Sequence, residues 1–108
     1  MAGEEFVISS GREFRTTEKP AFSLDTTLRG GTPASVSVTA SYSDGAGGWT
    51  DATADVYPST STSVSGNVIT MPQAVLTGQS GRVVRCCCKY TAGGSVWDDV
   101  VCVFEVMA

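Results

Sequence analysis

The sequence predicts an all-β domain of two packed antiparallel sheets, and three observations lead there. Residues 34–43 alternate strictly, with Ala34, Val36, Val38, Ala40 and Tyr42 against Ser35, Ser37, Thr39, Ser41 and Ser43. That is the period of a strand with one buried and one wetted face. Short runs rich in Val and Thr recur along the chain between Gly, Pro and Ser breaks, and no helical pattern is long enough to cover a sheet. Hydrophobic residues make up 42% of the 108 and charged residues 17%. One modest core is affordable, and a lone sheet would leave its apolar face in water.

Taken in order, residues 5–10 read as a short strand, bent at Gly11 before Glu13, Phe14 and Arg15, until Pro20 breaks the pattern. Residues 1–20 are expected as an N-terminal extension and residues 21–108 as the domain. Residues 21–24 form the next strand, and the glycines of Arg29-Gly30-Gly31-Thr32-Pro33 tolerate positive φ in the turn that follows. The alternating strand is succeeded by a flexible loop at residues 44–48. Extended chain then resumes from Trp49 through Val56 and Tyr57 to Pro58, and residues 59–63 form a polar surface loop. Gly66-Asn67 suits the two-residue turn of a hairpin over residues 64–72, whereas residues 73–77 are ambiguous. Residues 82–90 place Val84, Cys86, Cys88 and Tyr90 on one face and Arg85, Cys87 and Lys89 on the other. Gly93-Gly94 turns this strand into the last one, residues 96–106, as an antiparallel hairpin. The count is seven or eight short strands.

Several function classes fall away on composition. Seven basic against eleven acidic residues give a net charge of −4, which repels polyphosphate, so nucleic acid is not an expected partner. No segment approaches the run of about 20 apolar residues that a membrane span needs, and Met1 to Phe6 lacks the pattern of a secretory signal. Synthesis in the host cytoplasm is expected, without membrane association. In a reducing compartment Cys86, Cys87, Cys88 and Cys102 are expected as core thiols instead of a disulfide framework, and alternation splits the consecutive trio between two faces, poor geometry for a tetrahedral metal.

The chain has no histidine, which removes the commonest general base and metal ligand and excludes Ser-His-Asp and Cys-His catalysis. Asp51 with Asp55, or Asp98 with Asp99, could supply paired carboxylates, but neighbours on a strand face opposite ways. They read better as solvated turn or edge charges. A calcium site in residues 44–51 lacks alternating acidic ligands, and Gly45 to Gly48 lacks the lysine and helix of a phosphate loop. No enzyme activity, cofactor or metal is expected.

Ala40-Ser41-Tyr42-Ser43-Asp44-Gly45, followed by Trp49-Thr50-Asp51-Ala52-Thr53, resembles the bacterial immunoglobulin-like domains of the group 2 type. In that family a strand ending in Tyr leads through a Ser-Asp-Gly turn to an Asp-X-Thr step into a strand bearing an aromatic. Gly66 to Thr70, the turn at residues 78–81 and the strand at 82–90 resemble its later elements, so the likeness covers roughly residues 22–106. Tyr57 stands where the family often has Trp, and Cys86, Cys87 and Cys88 where Ala, Ile and Thr are usual. The resemblance implies an immunoglobulin-like antiparallel β-sandwich of about seven strands, with the first 20 residues as an addition. It also implies a setting, since such domains occur in bacterial surface proteins and in bacteriophage virions.

The function expected from these readings is non-enzymatic: a bacteriophage capsid decoration or auxiliary protein, or a head-fibre or tail component, resident in the virion. Its partner would be a protein lattice such as the major capsid protein, with homo-oligomerisation possible in principle. The alternative is a carbohydrate-binding or adhesive module of a bacterial surface protein. Partner contacts are expected from Phe6, Val7, Ile8 and Phe14 in the extension and from the aromatic anchors Trp49 and Trp97. Against this, one or both tryptophans could simply fill the core.

Overall fold

The computed structural model describes the backbone of residues 7–43 and 48–108, and side chains from residue 13 onward within those spans. Eight strands lie among the described residues: β1 (Val7–Arg15), β2 (Ala21–Asp25), β3 (Ala34–Ser43), β4 (Thr50–Asp51), β5 (Ser63–Ser65), β6 (Val68–Gln73), β7 (Val83–Ala92) and β8 (Ser95–Met107). They form a five-stranded sheet in the order β1-β8-β7-β3-β4 and a three-stranded sheet in the order β2-β6-β5. All neighbours are antiparallel except β1 and β8, which run parallel.

The inner faces follow the alternation in the sequence. Val38 and Ala40 of β3, and Val84, Cys86, Cys88 and Tyr90 of β7, are buried against Phe22 and Leu24 of β2 and Ile69 and Met71 of β6. Val36 and Tyr42 pack at the margin of the same core. The expected turns are present at Gly66-Asn67, where Ser65 pairs with Val68, and at Gly93-Gly94, where Ala92 pairs with Ser95.

Three readings need correction. Residues 7–15, expected as an addition to the domain, are hydrogen-bonded to β8 as an edge strand of the larger sheet, so the parallel pair departs from an all-antiparallel arrangement. The extended run from Trp49 to Tyr57 stops after β4, and Thr53–Val56 forms a single helical turn, α1. Thr53 directs that change: its hydroxyl accepts the Ala40 N–H at 3.0 Å and donates to Asp51 at 2.8 Å, fastening the chain across β3 instead of along it. The turn then drops Val56 and Tyr57 into the core. The third concerns Asp99, which is buried and not solvated. The Ser-Asp-Gly segment lies mostly in residues 44–47, outside the described residues, as does half of the loop considered for calcium.

All four cysteines are thiols, with Cys86, Cys88 and Cys102 buried and Cys87 partly covered. Burial pushes the Cys86 thiol up to about 12, and burial together with the charges of Asp99 and Asp98 pushes Cys88 to about 12 as well. Both stay protonated in the fold at a pH where an unfolded thiol ionises. Their contribution to stability is therefore complete below about pH 9 and lost as pH rises toward about 12. At about pH 10.5, Cys86 alone is expected to cost about 2 kcal/mol relative to neutral pH. Urea midpoints at several pH values check this, and the decline should be shallower in Cys86→Ala.

Candidate functional site

Two surfaces combine exposed apolar groups with an ordered polar frame, and both owe their geometry to β7 and β8. The first is the end of the sandwich where the β2–β3 connection meets the β5–β6 and β7–β8 turns. The two-residue turn at Gly93-Gly94 sets the register Lys89 to Asp98 and Cys88 to Asp99. Asp99 consequently faces inward with Cys88, while Asp98 faces water. Further along, a bulge between Cys86 and Cys87 leaves Val101 as an extra residue, so Cys102 and Phe104 return to the inner face.

Buried Asp99 is met by two donors. The Tyr90 hydroxyl donates to Oδ2 at 2.7 Å, and Nη2 of Arg29 donates to Oδ1 at 2.9 Å. Desolvation and the neighbouring carboxylate push the Tyr90 phenol well above its usual value, keeping it a donor. Arg29 also lies over the Trp97 ring at 4.1 Å, and Trp97 Nε1 donates to the Ala92 carbonyl at 3.1 Å. A guanidinium only 18% exposed and a carboxylate with no exposure lose much hydration, and what they secure is the position of the β2–β3 connection.

That connection is fixed at several other points. The buried Thr26 hydroxyl is shared between the carbonyl oxygens of Gly31 and Asn67, 2.9 Å from each, and the Thr26 N–H donates to Asn67 at 2.7 Å. Asp25 accepts from the Thr27 hydroxyl and N–H, contacts that hold its carboxyl below the usual range. Backbone meets backbone at Gly30 and Gly93. A Cβ on Gly93, at φ +60°, would come within 2.6 Å of the Arg29 carbonyl oxygen, so only glycine fits. Between these fastenings, on the short 3₁₀ turn Thr27–Arg29, Leu28 is 99% exposed.

The second surface is the outer face of the larger sheet. A shallow depression of about 350 Å³ is lined by residues including Trp49, Asp51, Arg85, Cys87 and Asp98. The Arg85 guanidinium lies 4.4 Å from the centre of the Trp49 ring, and its Nε donates to Ser41 at 3.3 Å. Trp49 is 41% exposed.

Trp49, Trp97 and Phe14, the described side chains among the six residues expected to contact a partner, do not form one surface. Trp49 is exposed on the sheet face. Trp97 is half-buried under Arg29, a structural role that leaves little of it for a partner. Phe14 packs edge-on against Phe22 and Phe104, with centroids at 6.1 and 4.9 Å, and so serves the core. Val7 and Ile8 belong to the backbone of β1, and their side chains, like all of Phe6, lie outside the described residues. Leu28 and Arg29 escaped the reading of the sequence, and Asp99 reads there as a solvated charge. The signal was available for Asp99, because a two-residue turn at Gly93-Gly94 fixes its register opposite Cys88. Nothing marked Arg29 as its partner, 70 residues away. Among the described residues, no group of three or more acidic or cysteine side chains could hold a metal ion. No family model, curated protein or solved structure matches this chain.

Proposed function

We propose that the chain is a non-enzymatic bacteriophage structural protein, an immunoglobulin-like module that docks on a protein lattice such as a major capsid protein shell. Capsid decoration is the favoured placement, with head fibre or tail as the others. The strand order supports the immunoglobulin-like part: β8, β7, β3 and β4 correspond in sequence to the G, F, C and C′ strands of such a sandwich, and β2, β6 and β5 to B, E and D. β1 then takes an edge position beside the last strand.

The observation that carries docking is Leu28. An apolar side chain held almost wholly in water on a free, mobile loop would need no explanation. Here the loop is fastened by a buried ion pair, a shared hydroxyl and a glycine-on-glycine contact, so the leucine is presented in one place. Order that exists before binding is entropy that association does not lose, and a leucine entering an apolar pocket gains roughly 2 kcal/mol. Arg29 is the sole charged residue of segment 26–33 and faces Asp99, so the tip offers neutral contacts. Such a surface suits an apolar pocket on a protein. Repetition on a lattice multiplies a weak individual contact.

The test is co-sedimentation of full-length protein with purified particles of the phage that encodes it. Leu28→Asp is expected to lower occupancy at least roughly tenfold while shifting unfolding free energy by less than about 0.5 kcal/mol, since the side chain touches little in the fold. Undiminished occupancy removes Leu28 from the contact. Absence of the wild-type chain from the particles, with binding to a glycan array through Trp49, would favour the carbohydrate-binding reading, which draws support from the exposed ring beside Asp51 and Asp98.

A further inference from the structure

We propose that Cys86 and Cys102 form a latent cross-strand disulfide site, closed by disulfide-class oxidants when the protein leaves a reducing compartment. The inference is independent of the docking reading. It rests on the register of the last hairpin, in which Cys86 stands directly opposite Cys102. Directly opposed residues of an antiparallel pair have Cα atoms about 4.5 or 5.5 Å apart, depending on their hydrogen-bonding class. Both spacings lie inside the range of roughly 4.4–6.8 Å that a disulfide spans.

The same register excludes the other two cysteines. Cys87 is opposite Val100 and on the outer face, and Cys88 is opposite Asp99, three residues short of Cys102 along β8. Even a two-residue diagonal puts Cα atoms about 7–8 Å apart, beyond what the bond reaches. Three consecutive thiols thus contain a single one that can close on the fourth. The bulge beside the pair gives the local backbone freedom to adjust its twist as the bond forms.

Burial makes the site latent. Neither side chain has measurable exposure, and burial holds the Cys86 thiol protonated, so the closed hairpin does not react. Reaction requires the hairpin to open. With oxidised glutathione as oxidant, the thiolate of one cysteine attacks a glutathione sulfur, forming a mixed disulfide and expelling one glutathione thiolate. The second cysteine thiolate then attacks the protein sulfur of that mixed disulfide and expels the other glutathione. The two protons lost by the protein end on the two glutathione thiols. The protein is oxidised by two electrons and one glutathione disulfide is reduced. When the hairpin closes again, the new bond lies between β7 and β8 in the core.

The experiment uses the full-length protein, reduced and then incubated with excess oxidised glutathione without denaturant. Intact mass under non-reducing conditions is expected to fall by two hydrogen atoms, two of four thiols should remain titratable after unfolding, and the thermal midpoint should rise by roughly 10 °C. Cys86→Ala and Cys102→Ala should each lose the mass change and the rise in midpoint, while Cys87→Ser and Cys88→Ser should keep both. Dithiothreitol should reverse the wild-type shift. Four titratable thiols after prolonged oxidation, glutathione retained on Cys87, or a disulfide that survives Cys86→Ala would each overturn the proposal.

Discussion

Replacing Asp99 by Ala is expected to lower the unfolding free energy by about 3–5 kcal/mol, a large part of what a domain of this size possesses. The change removes the acceptor of both the Tyr90 hydroxyl and the Arg29 guanidinium, 2.7 and 2.9 Å away. Two donors would then face an apolar space that offers neither of them a carboxylate. Most of the loss is the desolvation of those donors and not the worth of the ion pair itself, because removing one partner of a buried pair strands the other. The distinction is measurable. Asp99→Ala combined with Tyr90→Phe and Arg29→Met should recover part of the stability, since an apolar replacement of all three leaves no stranded donor. Urea unfolding of the single and triple variants provides the comparison. If Asp99→Ala alone costs less than about 1 kcal/mol, the network does not fasten the β2–β3 connection, and the argument for a preorganised Leu28 loses its main support.

The β2–β3 connection shows where the sequence stops being readable. Alternation at residues 36–42 and 84–90 found the inner faces of β3 and β7, because a side-chain period of two leaves little freedom once one face is buried, whereas Ala34, beyond a register shift between Ala34 and Ser37, is exposed. Short turns were equally legible: Gly66-Asn67 and Gly93-Gly94 each determine a hairpin register locally. Arg29 and Asp99, in contrast, meet only because two connections converge at one end of the sandwich, and no local rule joins them. Thr53 is a similar case. Its residue type favours a strand, yet its hydroxyl finds Ala40 and Asp51 and starts a helical turn instead. Leu28 carried no signal either, since a single leucine two residues before Gly30-Gly31 reads as an ordinary turn residue until its exposure and its fastenings are known.

Deleting residues 1–15 is expected to destabilise the protein by more than the same change would cost for a detachable arm. Phe14→Ala alone should cost about 2–3 kcal/mol. Phe14 fills an edge-on position against Phe104 at 4.9 Å and Phe22 at 6.1 Å, so its loss opens one end of the contact between the two sheets. Removing the whole of β1 also strips the parallel ladder from Val7 opposite Val100 to Arg15 opposite Met107. β8, the longest described strand at 13 residues, would then become a bare edge rich in valine. Such an edge is a template for pairing with another chain, so truncation should show both a lower thermal midpoint and a tendency to associate in sedimentation velocity. Charge reversal of Glu13, which faces water opposite Glu105, serves as the control, since it alters the same strand without touching Phe14 and should leave the midpoint nearly unchanged. A truncated chain that melts with the full-length protein and stays monomeric would mean that β1 adds nothing to the sandwich. The segment carrying Phe6, Val7, Ile8 and Phe14 would then be available as an attachment element, able to lend its backbone to a neighbour's sheet edge.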